Sequence, residues 1–234
     1  MKKIFMSFAN KRFKKALKRL KSEVKEINIF DDVIGITPRD FDESFRQIHG
    51  NFIKKYKRGY GFYIWKPYII HKVLKLLKEN DILVYADAGC KIYPEYLPRL
   101  LEYFEIVQKS QLGLLCFELK SNIDVWTKAD LGKRLDVLDR DEIWQSKMIA
   151  GGILVMRNCP HVRMVIKQWE DISNEDYHCI DNSPSKISNH PDFTEHRHDQ
   201  SILSILVRIH GAEIIPDETY PPGSGPISAD RLRK

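Results

Sequence analysis

The sequence predicts an α/β domain with a mostly parallel central sheet covered by helices. Three observations carry this. Short apolar runs alternate along the chain with amphipathic stretches of helical spacing. The runs are apolar at consecutive positions, as in strands buried on both faces. No internal repeat is visible. The 234 residues correspond to one domain at about 100–200 residues per domain. We read residues 1–220 as that domain and residues 221–234 as a flexible basic tail.

Residues 3–8 read as a short buried strand. Asn10 is placed to cap a helix. Phe13, Leu17, Leu20, Val24 and Ile27 then recur at spacings of 4, 3, 4 and 3, one apolar stripe on an otherwise Lys/Arg-covered helix. Residues 27–30 read as a second strand, which completes a right-handed βαβ unit. Residues 40–56 form one or two short helices with Phe41, Phe45, Ile48, Phe52 and Ile53 inward. A glycine-aromatic segment, Arg58 to Pro67, follows. Pro67 suits a first helical turn, in a helix that runs to residue 79 and closes at Asn80. Residues 81–90 give a buried strand ending on Asp87.

Pro94 opens a helix to about Val107, and residues 112–117 are strand-like. Residues 122–147 are polar, with short helical pieces. Residues 148–156 are a turn into a strand, and 160–173 a helix. Residues 174–196 form a long polar loop, of a length that is usually functional or mobile in a compact domain. A helix over 198–209 and a strand over 212–215 complete the pattern. The Pro/Gly/Ser-rich, then basic residues 221–234 are expected to fray.

The net charge is +6, unevenly spread: residues 1–25 hold ten Lys/Arg against one Glu, leaving 28 against 31 elsewhere. That is a near-neutral globule with one basic segment. The segment is either a solvated face or a contact for an anionic membrane surface. No zinc, RNP or helix-turn-helix pattern accompanies it, so no nucleic-acid partner is expected. Cys90, Cys116, Cys159 and Cys179 form no C-x-x-C pair and read as free thiols. No apolar run approaches the ~18 residues of a membrane span. Lys11 and Arg12 end the N-terminal apolar stretch too early for a signal peptide. The expected compartment is the cytoplasm, with peripheral contact at the inner membrane face through residues 11–25.

Several familiar sites are absent: G-x-G-x-x-G, the P-loop pattern and the G-x-S-x-G elbow. Four features remain. Tyr85-Ala86-Asp87-Ala88-Gly89 ends a buried strand on a carboxylate. There it serves either a tight turn or a divalent cation that holds phosphates. Glu195 to Gln200 sets His196, Arg197, His198 and Asp199 before an apolar helix, as an elaborate N-cap or as a site. Trp65 and Lys66, before Pro67, pack under the helix or meet a ring and a phosphate. Gly151 and Gly152 let a ligand approach backbone amides or serve a bulge.

Together, residues 61–67, 81–90, 151–156 and 196–203 resemble bacterial glycosyltransferases of the GT-A fold that build surface polysaccharides such as capsule or O-antigen. The resemblance spans roughly residues 58–206. It implies a single Rossmann-type, GT-A-like domain and a nucleotide-sugar donor, a UDP-sugar in the first instance, with a saccharide or lipid-linked saccharide acceptor. It implies Mn²⁺ or Mg²⁺ held on the donor diphosphate by Asp87. The usual motif is D-x-D; here Ala88 and Gly89 follow, and the second carboxylate is absent. By the same resemblance Phe8, Ala9 and Asn10 border the nucleoside. His198, Asp199 and Gln200 line the sugar or acceptor side, with His196 beside them. Asp87 and Asp199 are the catalytic candidates. Trp65, Lys66, Tyr85, Ala88, Gly89, Gly151 and Gly152 complete the candidate binding set. The competing readings are an inactive scaffold of the same shape and a nucleic-acid-binding protein.

Overall fold

The computed structural model describes residues 1–233. The first half contains β1 (Lys3–Phe8), α1 (Lys14–Glu26), β2 (Asp32–Ile36), α2 (Glu43–Lys55), α3 (Gly59–Phe62), α4 (Trp65–Leu74), β3 (Ile82–Ala86), β4 (Lys91–Ile92) and α5 (Leu97–Lys109). The second half contains β5 (Leu114–Asn122), α6 (Ala129–Arg134), α7 (Asp141–Trp144), β6 (Lys147–Ile149), β7 (Ile153–Arg157), α8 (Pro160–Glu175), α9 (Asp199–His210), β8 (Glu213–Pro216) and β9 (Ile227–Ser228).

The main sheet runs β2-β1-β3-β7-β5-β6, with β8 also on β5. β1 is parallel to β2 and β3, and β8 to β5. β7 is antiparallel to β3 and β5, and β6 to β5. Thus β1, β2, β3, β5 and β8 share one direction, the mostly parallel sheet that the sequence predicts, and β6 and β7 oppose them. β5 pairs first with β7 through Leu114 and Leu115, then with β6 through Glu118 and Asn122. Ala150–Gly152 is the break between those two halves.

Side chains alternate along the strands between two apolar layers. Ile4, Met6, Phe8, Leu83 and Tyr85 face the core under α2, α4, α8 and α9. Phe5, Ile82, Val84 and Ala86 face the core under α1 and α5, with Leu20, Val24, Leu100 and Phe104. Both faces of the sheet are therefore covered. Among the described residues, no helix is long and apolar enough to cross a membrane.

The second strand begins at Asp32, not at residue 27. The N–H groups of Ile27 and Asn28 still bond back to α1, and Asn28 turns the chain at φ +50°. Ile27, Ile29 and Phe30 pack on the core as a connector. The helix expected from Pro67 to residue 79 starts earlier, at Trp65, and ends at Leu74.

Within the segment expected to fray, residues 227–232 make pairings with the rest of the chain. Ile227 and Ser228 pair antiparallel with Ile92 and Lys91. The Leu232 N–H donates to the Gly89 carbonyl at 2.9 Å, and the Tyr93 hydroxyl donates to Asp230 Oδ2 at 2.8 Å. A two-residue strand carries too little periodicity to stand out among Pro, Gly and Ser. Ile227 is 2 % exposed, so Ile227→Ala should lower stability by about 2–4 kcal/mol. Chemical denaturation reads this directly; a frayed tail would give no change.

Candidate active site

α4, β3, the Ala150–Gly152 break and the start of α9 meet at the C-terminal edge of the parallel strands, where ligands of open α/β sheets bind. α4 is buried along nearly its whole length, Lys66 included. A buried ammonium must be paired, and three oxygens surround this one. Nζ donates to the Gly151 carbonyl at 2.8 Å. It lies 2.8 Å from Asp199 Oδ2, a close ion pair. It lies 3.5 Å from Asp87 Oδ1. The rings of Tyr63 and Tyr85 flank it, with centroids 4.9 and 5.5 Å from Nζ.

The two carboxylates differ in access. The Asp199 side chain is 4 % exposed and that of Asp87 39 %. Burial pushes the Asp199 carboxyl up to about 6, against the opposing pull of Lys66. Burial pushes Lys66 down, but Asp199 and Asp87 outweigh it and the net shift is upward. A carboxyl raised by folding stabilises the fold below its ordinary range. That contribution is lost as pH rises from about 4 through about 6. Tyr85 donates its hydroxyl to Asp87 Oδ1, and its own acidity is suppressed by burial and then by the Asp87 charge.

The backbone beside Lys66 is strained. Gly59, Tyr60, Gly61, Phe62 and Tyr63 all have φ between +52° and +84°. The Phe62 and Tyr63 N–H groups bond to the Arg58 and Gly59 carbonyls at 2.9 and 3.1 Å, one left-handed helical turn. For Tyr60, Phe62 and Tyr63 this costs roughly 1–2 kcal/mol each. Strain of this kind collects at functional sites. The turn sets Tyr63 over Lys66. Tyr63 was not among the residues singled out from the sequence; the Gly59-Tyr60-Gly61 spacing was the available signal.

The structure brings Lys66, Tyr85, Asp87, Gly151, Gly152 and Asp199 together. It places other candidates in the core instead. Phe8 stacks on Trp65 at 3.8 Å, and the Trp65 indole N–H donates to the Gly59 carbonyl. Ala9 and Ala88 are buried, and Arg19 donates to the Ala88 carbonyl at 3.1 Å. His196 uses both ring nitrogens within the protein, Nε2 on the Cys179 carbonyl and Nδ1 on the Lys128 N–H. Burial lowers its pKa to about 3. His198 bonds the Ile180 carbonyl through Nδ1, stacks on Phe62 and leaves Nε2 without a protein partner. Burial lowers it to about 4. Asn10 caps the turn at residues 11–13 through its side chain. Asn10, Tyr63, Asp87, Gly89, Gly152 and Gln200 are the partly exposed members.

A divalent cation at Asp87 is tested by the space around the carboxylate. Oδ1 is taken by Tyr85 and Lys66. At Gly152 a Cβ would stand 3.1 Å from Oδ2, so the glycine keeps that oxygen open. A Cβ at Gly89 would meet the Arg231 backbone at 3.2 Å, so the tail covers the place where a second carboxylate is usual. The residues fit an ion held by one protein oxygen, with ligand phosphates and water completing its shell, a common mode for Mg²⁺. They do not form a preformed cage.

No protein family matches the chain, and no curated protein matches it. Solved structures do. A glycosyltransferase involved in glycosylation of the major capsid of PBCV-1 matches with TM-score 0.51 at 11 % identity, covering 96 % of this chain and 86 % of that one. The glycosyltransferase GlyE of Streptococcus pneumoniae TIGR4 matches with TM-score 0.48 at 12 % identity, covering 93 % and 46 %. Mouse xyloside xylosyltransferase 1 matches with TM-score 0.47 at 11 % identity, covering 92 % and 84 %. At these identities the likeness is one of fold: the chain has the mixed α/β fold of the GT-A glycosyltransferases.

Proposed function

We propose that the chain transfers a sugar from a nucleotide-sugar donor, a UDP-sugar in the first instance, to a saccharide or lipid-linked acceptor in surface polysaccharide synthesis. The observation that carries this reading is the Asp87–Lys66–Asp199 centre, set where the sheet reverses direction in a glycosyltransferase fold. Asp87 offers Oδ2 towards the donor diphosphate. A divalent cation bound there would offset charge on the leaving oxygens, worth several kcal/mol. Lys66 and the Tyr85 hydroxyl both contact Asp87 Oδ1 and fix the direction of the carboxylate.

Burial alters the part expected of Asp199. At 4 % side-chain exposure it acts on the ligand through Lys66 and not by touching the sugar. With Asp199 ionised, Lys66 is shared between two carboxylates and the centre carries net charge −1. With Asp199 protonated, Lys66 turns its charge to Asp87 and competes with the cation. Tyr63 and Gln200 border the opening, and His198 Nε2 is buried behind them without a protein partner.

Membrane contact belongs to the same reading. Lys11, Arg12, Lys14, Lys15, Lys18 and Lys25 are exposed on or beside α1, at ~1 kcal/mol each near anionic lipid. Co-sedimentation with phosphatidylserine vesicles should occur at low salt and vanish at high salt; equal recovery with neutral vesicles would remove the basic helix from the reading.

The direct check of donor binding is a thermal-shift series with UDP, GDP and their sugars, with Mn²⁺, Mg²⁺ or EDTA. A Mn²⁺-dependent rise with a nucleoside diphosphate is expected for the wild type and not for Asp87→Ala. Sugar transfer by that variant should fall on the order of 100-fold or more, measured below its own unliganded melting temperature so that the loss is not one of folding. Full turnover by Asp87→Ala, or no shift with any nucleotide, would overturn the proposal.

A further inference from the structure

The polar segment between α8 and α9 is tied to the chain just after β5. Thr194 N–H donates to the Val125 carbonyl at 2.8 Å and Arg197 N–H to the Trp126 carbonyl at 3.0 Å. Asn189 Oδ1 accepts from the Ala129 N–H at 2.9 Å. Beside these ties stands a group that the proposed reaction does not use. Asp124 is 1 % exposed. Its Oδ2 accepts from Gln145 Nε2 at 2.9 Å and lies 3.4 Å from His190 Nδ1. Asp192 Oδ2 lies 3.9 Å from the same nitrogen. The Asp192 backbone N lies 3.4 Å from the same nitrogen. Two carboxylates facing one ring nitrogen are held there by a proton on that nitrogen or by a cation bound among them.

A second observation points the same way. Asp124 Oδ1 is buried and has no partner. A buried carboxylate with a bare oxygen is costly unless positive charge compensates it, and Gln145 and His190 both approach Oδ2, not Oδ1. The three side chains each present a ligand atom, all within 4.8 Å of one another. Among the described residues, no other group of three metal-ligating side chains meets that spacing. Ligands held about 2.0–2.2 Å from an ion at tetrahedral angles lie about 3.4 Å apart. The separations at His190 Nδ1 are 3.4 and 3.9 Å, so little movement closes the site.

We propose that Asp124, His190 and Asp192 bind a divalent transition-metal cation of the Zn²⁺ class, at a site separate from Asp87. One imidazole and two carboxylates suit Zn²⁺ and its neighbours better than Mg²⁺ or Ca²⁺, which prefer all-oxygen shells. The Asp192 side chain is 74 % exposed, so water completes the shell. The ion fastens the 174–196 segment to the end of β5, a few residues upstream of the turn that carries His198 and Asp199.

Zn²⁺ titration of the whole chain by calorimetry, with melting temperatures in Zn²⁺ and in EDTA, tests this. The wild type should bind Zn²⁺ and melt at a higher temperature with it. His190→Gln, at a partly exposed position, should melt as the wild type does in EDTA but bind Zn²⁺ at least tenfold more weakly, the loss expected of a ligand set disturbed at one member. Asp87→Ala should keep the wild-type Zn²⁺ response, which separates this site from the donor site. Visible Co²⁺ absorption, lost in His190→Gln, would confirm nitrogen ligation. No Zn²⁺-dependent rise in the wild type, or an equal rise in His190→Gln, would overturn the site and leave an ordinary ion-pair group.

Discussion

One buried ammonium organises this end of the molecule. Lys66 sits on a helix wrapped by core on nearly every side, and the cost of an unpaired charge there would exceed what a small domain can bear. Its partners come from three separate stretches of chain: Asp87 at the end of β3, Gly151 in the break between β6 and β7, and Asp199 at the start of α9. Satisfying Lys66 therefore fixes the sheet reversal, the glycine pair and the α9 terminus relative to one another. The open oxygen of Asp87 beside Gly152 is a by-product of that arrangement.

The surroundings show what the arrangement costs and what supports it. Three aromatic residues are held in left-handed backbone geometry, and His198 adds another strained position at the start of α9, at φ +56°. The rigid support lies underneath. The Trp169 indole N–H donates to the Asp199 carbonyl at 2.9 Å, Phe8 and Trp65 stack face to face, and Phe62 lies against the His198 ring at 4.5 Å. Residues that look like ligand platforms in the sequence serve as this support. Buried packing holds the strained turn in place, so a few partly exposed polar atoms can be held without moving.

What the sequence made legible was local. A buried apolar run ending on Asp87 reads as a strand reaching the sheet edge, and the apolar stripe behind Asp199 reads as a helix with an acidic first turn; both are present. Residues 27–30 show the limit: their composition suits a strand, but the geometry of α1's end places them in a connector. Ile227 shows another, since β9 exists only because β4 is there to pair with it. The meeting of Lys66, Asp87 and Asp199 is wholly tertiary. No spacing along the chain encodes it, and burial, which separates the two carboxylates in access, is invisible before packing. Tyr63 was missed for a related reason: glycines at 59 and 61 permit a left-handed turn, but only the fold compels the tyrosines into it.

The account stands on Asp199 being a buried acid coupled to Lys66. The direct measurement is a carbon-13 NMR titration of the aspartate carboxyl groups in the wild type and in Asp199→Asn. One carboxyl should titrate at about 6, well above the ordinary aspartate range near 3.9, and be missing from the variant. If every aspartate titrates in the ordinary range, Asp199 is not held in the buried centre described here and the account fails.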